Sequence, residues 1–199
     1  MQWLMLALLF VAQAPQKTAQ IDSADSFLMG GPDSPVRIEL FSDFQCPSCR
    51  TFYLETVTRL ISEYSAGKKV GLIFRDFPLA THAVSRVAAR YAVASESLGH
   101  DKWLKVIESL YTNQAEWSYD GKIEPVLSRL LSPQDMEKLQ EELKSPAIEQ
   151  AIDLSVSLGN SKKVNSTPTF FFTVGGKEQR VENGLSFAVM KAFVDRYLK

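Results

Sequence analysis

The order of elements in this 199-residue chain predicts an α/β fold built as a βαβ unit, a helical insertion and a closing ββα unit. Three observations carry that prediction. A strand-like run at Val36–Ser42 leads into a helical pattern in which Phe52, Val57, Leu60, Ile61 and Tyr64 recur at helical spacing, and a second apolar strand follows at 70–74. Strand, helix and strand within about forty residues make a crossover unit with parallel strands. Next come about eighty residues of helical character, roughly 80–160. Within them, 84–98 is Ala-rich and ends at Gly99, and 101–112 places Trp103, Val106, Ile107 and Leu110 on one side. Ser132-Pro133 and Ser145-Pro146 are helix-start signals, an N-cap hydroxyl followed by Pro in the first turn, and the second opens a helix over 148–158. β-character then returns: Thr169–Val174 reads as a strand, Gly175-Gly176 as a hairpin turn and 179–182 as its partner. A last helix, 186–198, carries an apolar stripe of Phe187, Met190, Val194 and Tyr197.

Composition narrows the class. The hydrophobic fraction of 45% is enough for one well-filled core, and a net charge of −1 without a basic tract argues against a nucleic-acid partner. The chain divides into an apolar N-terminal segment at 1–14, a polar linker and lead-in at 15–35, and one domain at 36–199. The run 3–12 is shorter than the ~20 residues a membrane span needs, and with Ala12-Gln13-Ala14 after it resembles an export signal and its cleavage site. No Lys or Arg precedes the run, and Pro15 follows the cleavage position, so the competing reading is an uncleaved segment that tethers the chain to a membrane. Export places the chain in a periplasmic or other extracytoplasmic compartment, where dithiols are oxidised.

The chain has two cysteines, both in Cys46-Pro47-Ser48-Cys49, at the strand-to-helix junction. With no further Cys there is no separate disulfide staple, so chemistry explains the pair better than stabilisation does. Pro47 suits the first helical turn, where its missing N–H is not needed. Cys46 then becomes the N-cap, its sulfur facing the free N–H groups of Ser48 and Cys49 and the positive end of the helix dipole. Both favour thiolate, the form that attacks disulfides. Cys49, one turn in, is the resolving thiol. Three other readings compete. Half a zinc site would need two further ligands, and the two histidines, His82 and His100, are eighteen residues apart. A structural hairpin disulfide would constrain little chain entropy. A pair of buried, inert thiols does not explain the strand–turn–helix setting. No metal and no cofactor is therefore expected.

Three segments resemble the landmarks of DsbA-like proteins of the thioredoxin superfamily: Phe41-Ser42-Asp43-Phe44-Gln45-Cys46-Pro47-Ser48-Cys49, Phe74-Arg75-Asp76-Phe77-Pro78-Leu79 and Ser166-Thr167-Pro168-Thr169-Phe170-Phe171. The resemblance runs from about residue 30 to the C-terminus and includes the position of the helical insertion. It implies a thioredoxin-like fold and a protein disulfide oxidoreductase acting on cysteine-containing protein substrates. It also implies a cis Pro168 beside the dithiol, with the Thr167 backbone aligning an extended substrate segment by strand addition.

Two positions depart from the family pattern. Many relatives carry a buried acid six residues before the first Cys, where this chain has Leu40, and Glu39 beside it faces the other side of a strand. Asp43 is a candidate for the missing proton transfer, against a competing role in capping the turn. The best-known oxidant of the family has His where Ser48 stands, so the thiolate here lacks one cation. His82 reads as a helix-start or packing residue ahead of a proton shuttle, Trp117 and Tyr119 as insertion-core aromatics ahead of a substrate face, and Arg75 with Asp76 as a structural pair. The expected function is net disulfide formation by a monomer, since 15–35 is too short for the dimerisation domain of exported isomerases. The alternatives are a reductase recycled by a membrane redox partner and a non-catalytic module that binds peptides or thiols.

Overall fold

The computed structural model describes residues 26–198. The expectations about residues 1–14 lie outside the described residues. A five-stranded mixed sheet forms the centre, in the order β1-β3-β2-β4-β5. It comprises β1 (Phe27–Met29), β2 (Val36–Ser42), β3 (Val70–Asp76), β4 (Thr169–Val174) and β5 (Lys177–Glu182). Strands β2 and β3 run parallel, Val36 beside Val70 through Ser42 beside Asp76, and the other pairings are antiparallel. This is the α/β arrangement the element order predicts, and the thioredoxin-like fold the resemblance implies.

The first crossover is α1 (Pro47–Phe52), a π-helical turn at Tyr53–Val57, and α2 (Thr58–Tyr64). The insertion contributes α3 (Ser85–Ser95), α4 (His100–Thr112), α5 (Gln114–Trp117), α6 (Glu124–Leu127), α7 (Pro133–Glu142) and α8 (Pro146–Ser161). The chain closes with α9 (Phe187–Leu198). Both Ser-Pro starts are real caps: Ser132 Oγ accepts from the N–H of Asp135, and Ser145 Oγ from that of Ala147.

Alternation along β4 divides the core. Phe170 and Phe172 point to the face covered by α1 and α9: Phe170 stacks on Phe52 at 5.4 Å and Phe172 meets Phe193 at 4.2 Å. Phe171 points the other way, into a smaller cluster with Phe41, Phe77 and Val164. Helix α8 closes that cluster at Gly159, where a Cβ would stand 2.4 Å from the Phe77 ring. The same face carries the Glu39 carboxylate, bonded to Arg75 at 2.9 Å and Lys162 at 2.6 Å. The hairpin turn uses Gly175 and Gly176 at φ 55° and 75°, the doubly positive geometry of a two-residue hairpin.

Four local readings are corrected. The lead-in is not all linker: Phe27–Met29 pairs with β3, and Leu28 and Met29 are buried. Three residues are too few for periodicity to reveal a strand. Strand β5 begins at Lys177, two residues early, because its exposed, charged edge has no alternation to read. Tyr197 is exposed, and on α9 only Met190 and Val194 are fully buried. Arg75 reaches across to Glu39 and not to Asp76, since adjacent strand residues face opposite sides.

Candidate active site

The dithiol follows the C-terminal end of β2, at the start of α1. Cys46 is the N-cap of α1, with extended backbone (φ −73°, ψ 121°) and Pro47 following in the first turn. Its sulfur lies 3.4 Å from the Thr167 carbonyl oxygen, and the Thr167–Pro168 peptide bond is cis. A segment 121 positions away in the chain thus forms one wall of the site. The Thr167 hydroxyl is buried there too.

The two sulfurs differ in environment. Cys46 is 7% exposed and Cys49 is fully buried. A hydrogen bond from the Cys49 thiol does most to bring the Cys46 pKa down from 9.0 to about 5, against the opposing effect of burial, with help from the Cys49 and Ser48 N–H groups and from Thr167. Burial, then the hydrogen bond and charge of Cys46, push Cys49 well above the usual thiol range, and the Ser42 hydroxyl and Thr167 act the other way. The backbone N–H of Asp43 lies 3.5 Å from Cys49 Sγ. At neutral pH the pair therefore holds one thiolate, on Cys46, and one thiol, on Cys49.

Asp43 is occupied as an anchor. Its Oδ1 accepts from the N–H groups of Gln45 and Cys46 and from the Ser85 hydroxyl; its Oδ2 accepts from the Leu79 N–H and lies 2.9 Å from His82 Nδ1. This one buried carboxylate ties the active-site turn to the loop that begins the insertion. Its bonding is that of a turn cap, and His82 is part of the same anchor.

The insertion supplies supports that the sequence reading missed. The Gln114 amide donates to the carbonyls of Phe44, at 2.7 Å, and Cys46, at 3.1 Å. Gln45 spans the other side, donating to the Ser118 carbonyl and accepting from the Val84 N–H. Tyr111, fully buried on α4, stacks on Tyr53 at 4.8 Å and places its hydroxyl 2.6 Å from Ser42 Oγ. Nothing in the spacing of Gln114 or Tyr111 distinguishes them from ordinary helix residues. Of the two aromatics left open, Trp117 is core, its indole N–H donating to the Leu110 carbonyl, while Tyr119 is 95% exposed. Leu40 is buried, so the family's acid position is apolar here.

Beside the motif runs an open groove of about 470 Å³ lined by Pro47, Ser48, Phe52, Glu55, Asn183 and Leu185, among others. Among the described residues no group of three or more His, Cys, Asp and Glu side chains is placed to hold a metal ion, and no helix is long and apolar enough to cross a membrane.

Comparison with known proteins agrees with this geometry. A family model described as thioredoxin matches residues 22–196. A probable disulfide bond formation protein D of Bacillus cereus is 27% identical over 178 residues, covering 86% of this chain and 78% of that protein. Among solved structures, α-DsbA1 of Wolbachia pipientis superposes with a TM-score of 0.72 at 18% identity, covering 87% of this chain and 90% of that one. Oxidised BdbD of Bacillus subtilis gives 0.70 at 20% identity, covering 87% and 92%. The likeness covers most of the chain, and the chain belongs to the thioredoxin superfamily as a DsbA-like thiol–disulfide oxidoreductase.

Proposed function

We propose that this oxidoreductase forms disulfides in cysteine-containing protein substrates in an exported, periplasmic or other extracytoplasmic setting. Cys46 is the exchanging thiol and Cys49 the resolving one. Pro47 and Ser48 open the helix that holds them, and the Thr167–Pro168 segment aligns an extended substrate chain. The observation that carries the direction is the setting of Cys46, at the N-cap of α1 against the Thr167 carbonyl with the Cys49 thiol beside it, which brings its pKa down to about 5. A stabilised thiolate stabilises the reduced protein, and a protein favoured in its reduced form readily gives its disulfide away. Ser48 brings no cation, but the Cys49 thiol and two backbone N–H groups take its place. The relatives named for disulfide bond formation support the same direction. Each turnover leaves the dithiol reduced, so a membrane redox partner that removes two electrons completes the cycle. The protein works as a monomer.

The test is equilibration with glutathione buffers, scoring the reduced fraction by thiol alkylation. A reduction potential above ~−150 mV is expected; one near thioredoxin's ~−270 mV would overturn the direction. In parallel, Cys46→Ser separates catalysis from binding: loss of exchange is expected, and a variant that still oxidises substrate would remove Cys46 from its role.

A further inference from the structure

A carboxyl group outside the expected site residues stands on the buried side of the dithiol. Asp76 ends β3 and lies beside Ser42 in the parallel register, and paired residues of parallel strands point to the same face. Two positions back on that face are Leu40 and Phe74, which belong to the core that contains Cys49. Asp76 Oδ1 is buried and has no hydrogen-bond partner among the described residues. An acceptor left unmet in the interior is costly, so an orphan of this kind calls for an explanation. Its neighbour Ser42 holds the Tyr111 hydroxyl at 2.6 Å and acts on the Cys49 thiol, and Tyr111 in turn feels the charges of Cys49, Asp43 and Asp76. The four groups Asp76, Ser42, Tyr111 and Cys49 form one polar pocket beneath the motif.

We propose that Asp76 is the proton donor and acceptor for Cys49, acting through the Ser42 hydroxyl, directly or over one water. This rests on the exchange function proposed above. When a substrate thiolate attacks Cys46 of the oxidised protein, a bond forms between the substrate sulfur and Cys46 Sγ. The Cys46–Cys49 bond breaks, and Cys49 leaves with the electron pair. In its fully buried position that sulfur needs a proton at once. Asp76 supplies it and becomes a carboxylate; in the reverse step, as Cys49 attacks a mixed disulfide on Cys46, the carboxylate takes the proton back. Burial, reinforced by the nearby Glu96 and Asp43 carboxylates, pushes the Asp76 carboxyl well above the usual carboxylate range, which favours the protonated form that the first attack calls for. The groups around it are Ser42 beside it on β2, the Asp43 and Glu96 carboxylates that act on it, and Tyr111 on α4, which feels its charge; Glu96 is itself bonded to Ser26. Asp76 touches neither sulfur, so it is a positioning group for the proton.

The experiment mixes oxidised protein with glutathione, quenches by acid and follows the appearance of free Cys49 against pH. For Asp76→Asn, which preserves shape but cannot release a proton, release at neutral pH is expected to slow by about 10²-fold, the low end for a positioned acid–base group. The wild-type rate should carry an inflection that the variant lacks, and Asp76→Glu should recover part of both. Ser42→Ala cuts the route without touching Asp76 and should give the same loss. Alkylation of Cys46 in the reduced protein, which needs no proton on Cys49, should change less than about twofold in Asp76→Asn. Unchanged release and pH profile in Asp76→Asn, or equal slowing of release and alkylation, would overturn the proposal. Wild-type protein that fails to exchange with glutathione at all would overturn the exchange reading itself, and this inference with it.

Discussion

Cys46 and Cys49 sit three residues apart on one helical turn, and the structure treats them in opposite ways. Cys46 faces the Thr167 carbonyl and helix N–H groups at the edge of an open groove, and its thiolate is stabilised. Cys49 faces inward toward Ser42 and Tyr111, and burial keeps it a thiol. The motif supplies two sulfurs at the right spacing, but the division of labour comes from the surroundings. Distant chain makes the Cys46 side, the strand ends and α4 make the Cys49 side, and one helix N-terminus joins them.

The largest expected effect tests that division directly. In Cys49→Ser the first attack survives and resolution does not, so a Cys46-linked mixed disulfide with glutathione or a peptide should accumulate as the dominant species by mass spectrometry. In Cys46→Ser no such adduct should form, because the remaining thiol is fully buried and kept protonated. Comparable adducts on both variants would mean the two environments are not different in the way described.

A pH experiment sharpens the same contrast. Rapid alkylation of the reduced protein should follow Cys46 with a midpoint near 5, with Cys49 reacting only at much higher pH. The sign for stability follows. Cys46 has a depressed pKa in the folded state, so its contribution to the reduced form is fully present above the ordinary thiol value of 9.0. That contribution is lost as pH falls through about 5. Between those limits the reduced protein should gain stability over the oxidised protein as pH rises, by at most about 1.4 kcal/mol per pH unit. Cys49, shifted upward, adds no slope in that window. Unfolding midpoints of the two redox forms at a series of pH values measure the difference; a gap that is flat with pH would remove the thiolate from the account.

How far this contrast is legible in sequence depends on the range of the interaction. Pro47 after Cys46 announces the cap because capping is local, and the Ser-Pro pairs announce α7 and α8 for the same reason. The Thr167–Pro168 wall is visible only through resemblance to a family, since no spacing rule joins positions 121 apart. Asp43 stands out in sequence for lying three residues from Cys46, and its five partners make it an anchor. Asp76 reads in sequence as half of a structural pair with Arg75, and strand alternation separates the two. Gln114 and Tyr111 carry no local mark, because their importance lies in which carbonyl or hydroxyl the folded insertion brings to them.

Gln114 offers a smaller, graded test of how the insertion supports the exposed side. Replacing it with Leu removes two donated hydrogen bonds and leaves the Phe44 and Cys46 carbonyls less satisfied, at a cost of about 1–3 kcal/mol in the reduced form. The motif's turn should also loosen, so the alkylation midpoint of Cys46 should move upward while Cys49 stays unreactive. Loss of stability with no movement of that midpoint would make Gln114 a packing residue alone.

The smallest effect belongs to the outer insertion, and it shows where the site's influence ends. Ser132 caps α7 by accepting from the Asp135 N–H, and its hydroxyl also lies 2.8 Å from Asp135 Oδ2. Ser132→Ala should cost about 1 kcal/mol, the usual price of a lost N-cap, and lower the unfolding midpoint of both redox forms equally. Because α7 supplies no residue to the dithiol pocket, the glutathione equilibrium and the Cys46 midpoint should not move. A shift in either would mean that the cap's strain reaches the motif through α3 and Asp43. The anchor at Ser85 would then be a coupling between insertion and site as well as a structural tie.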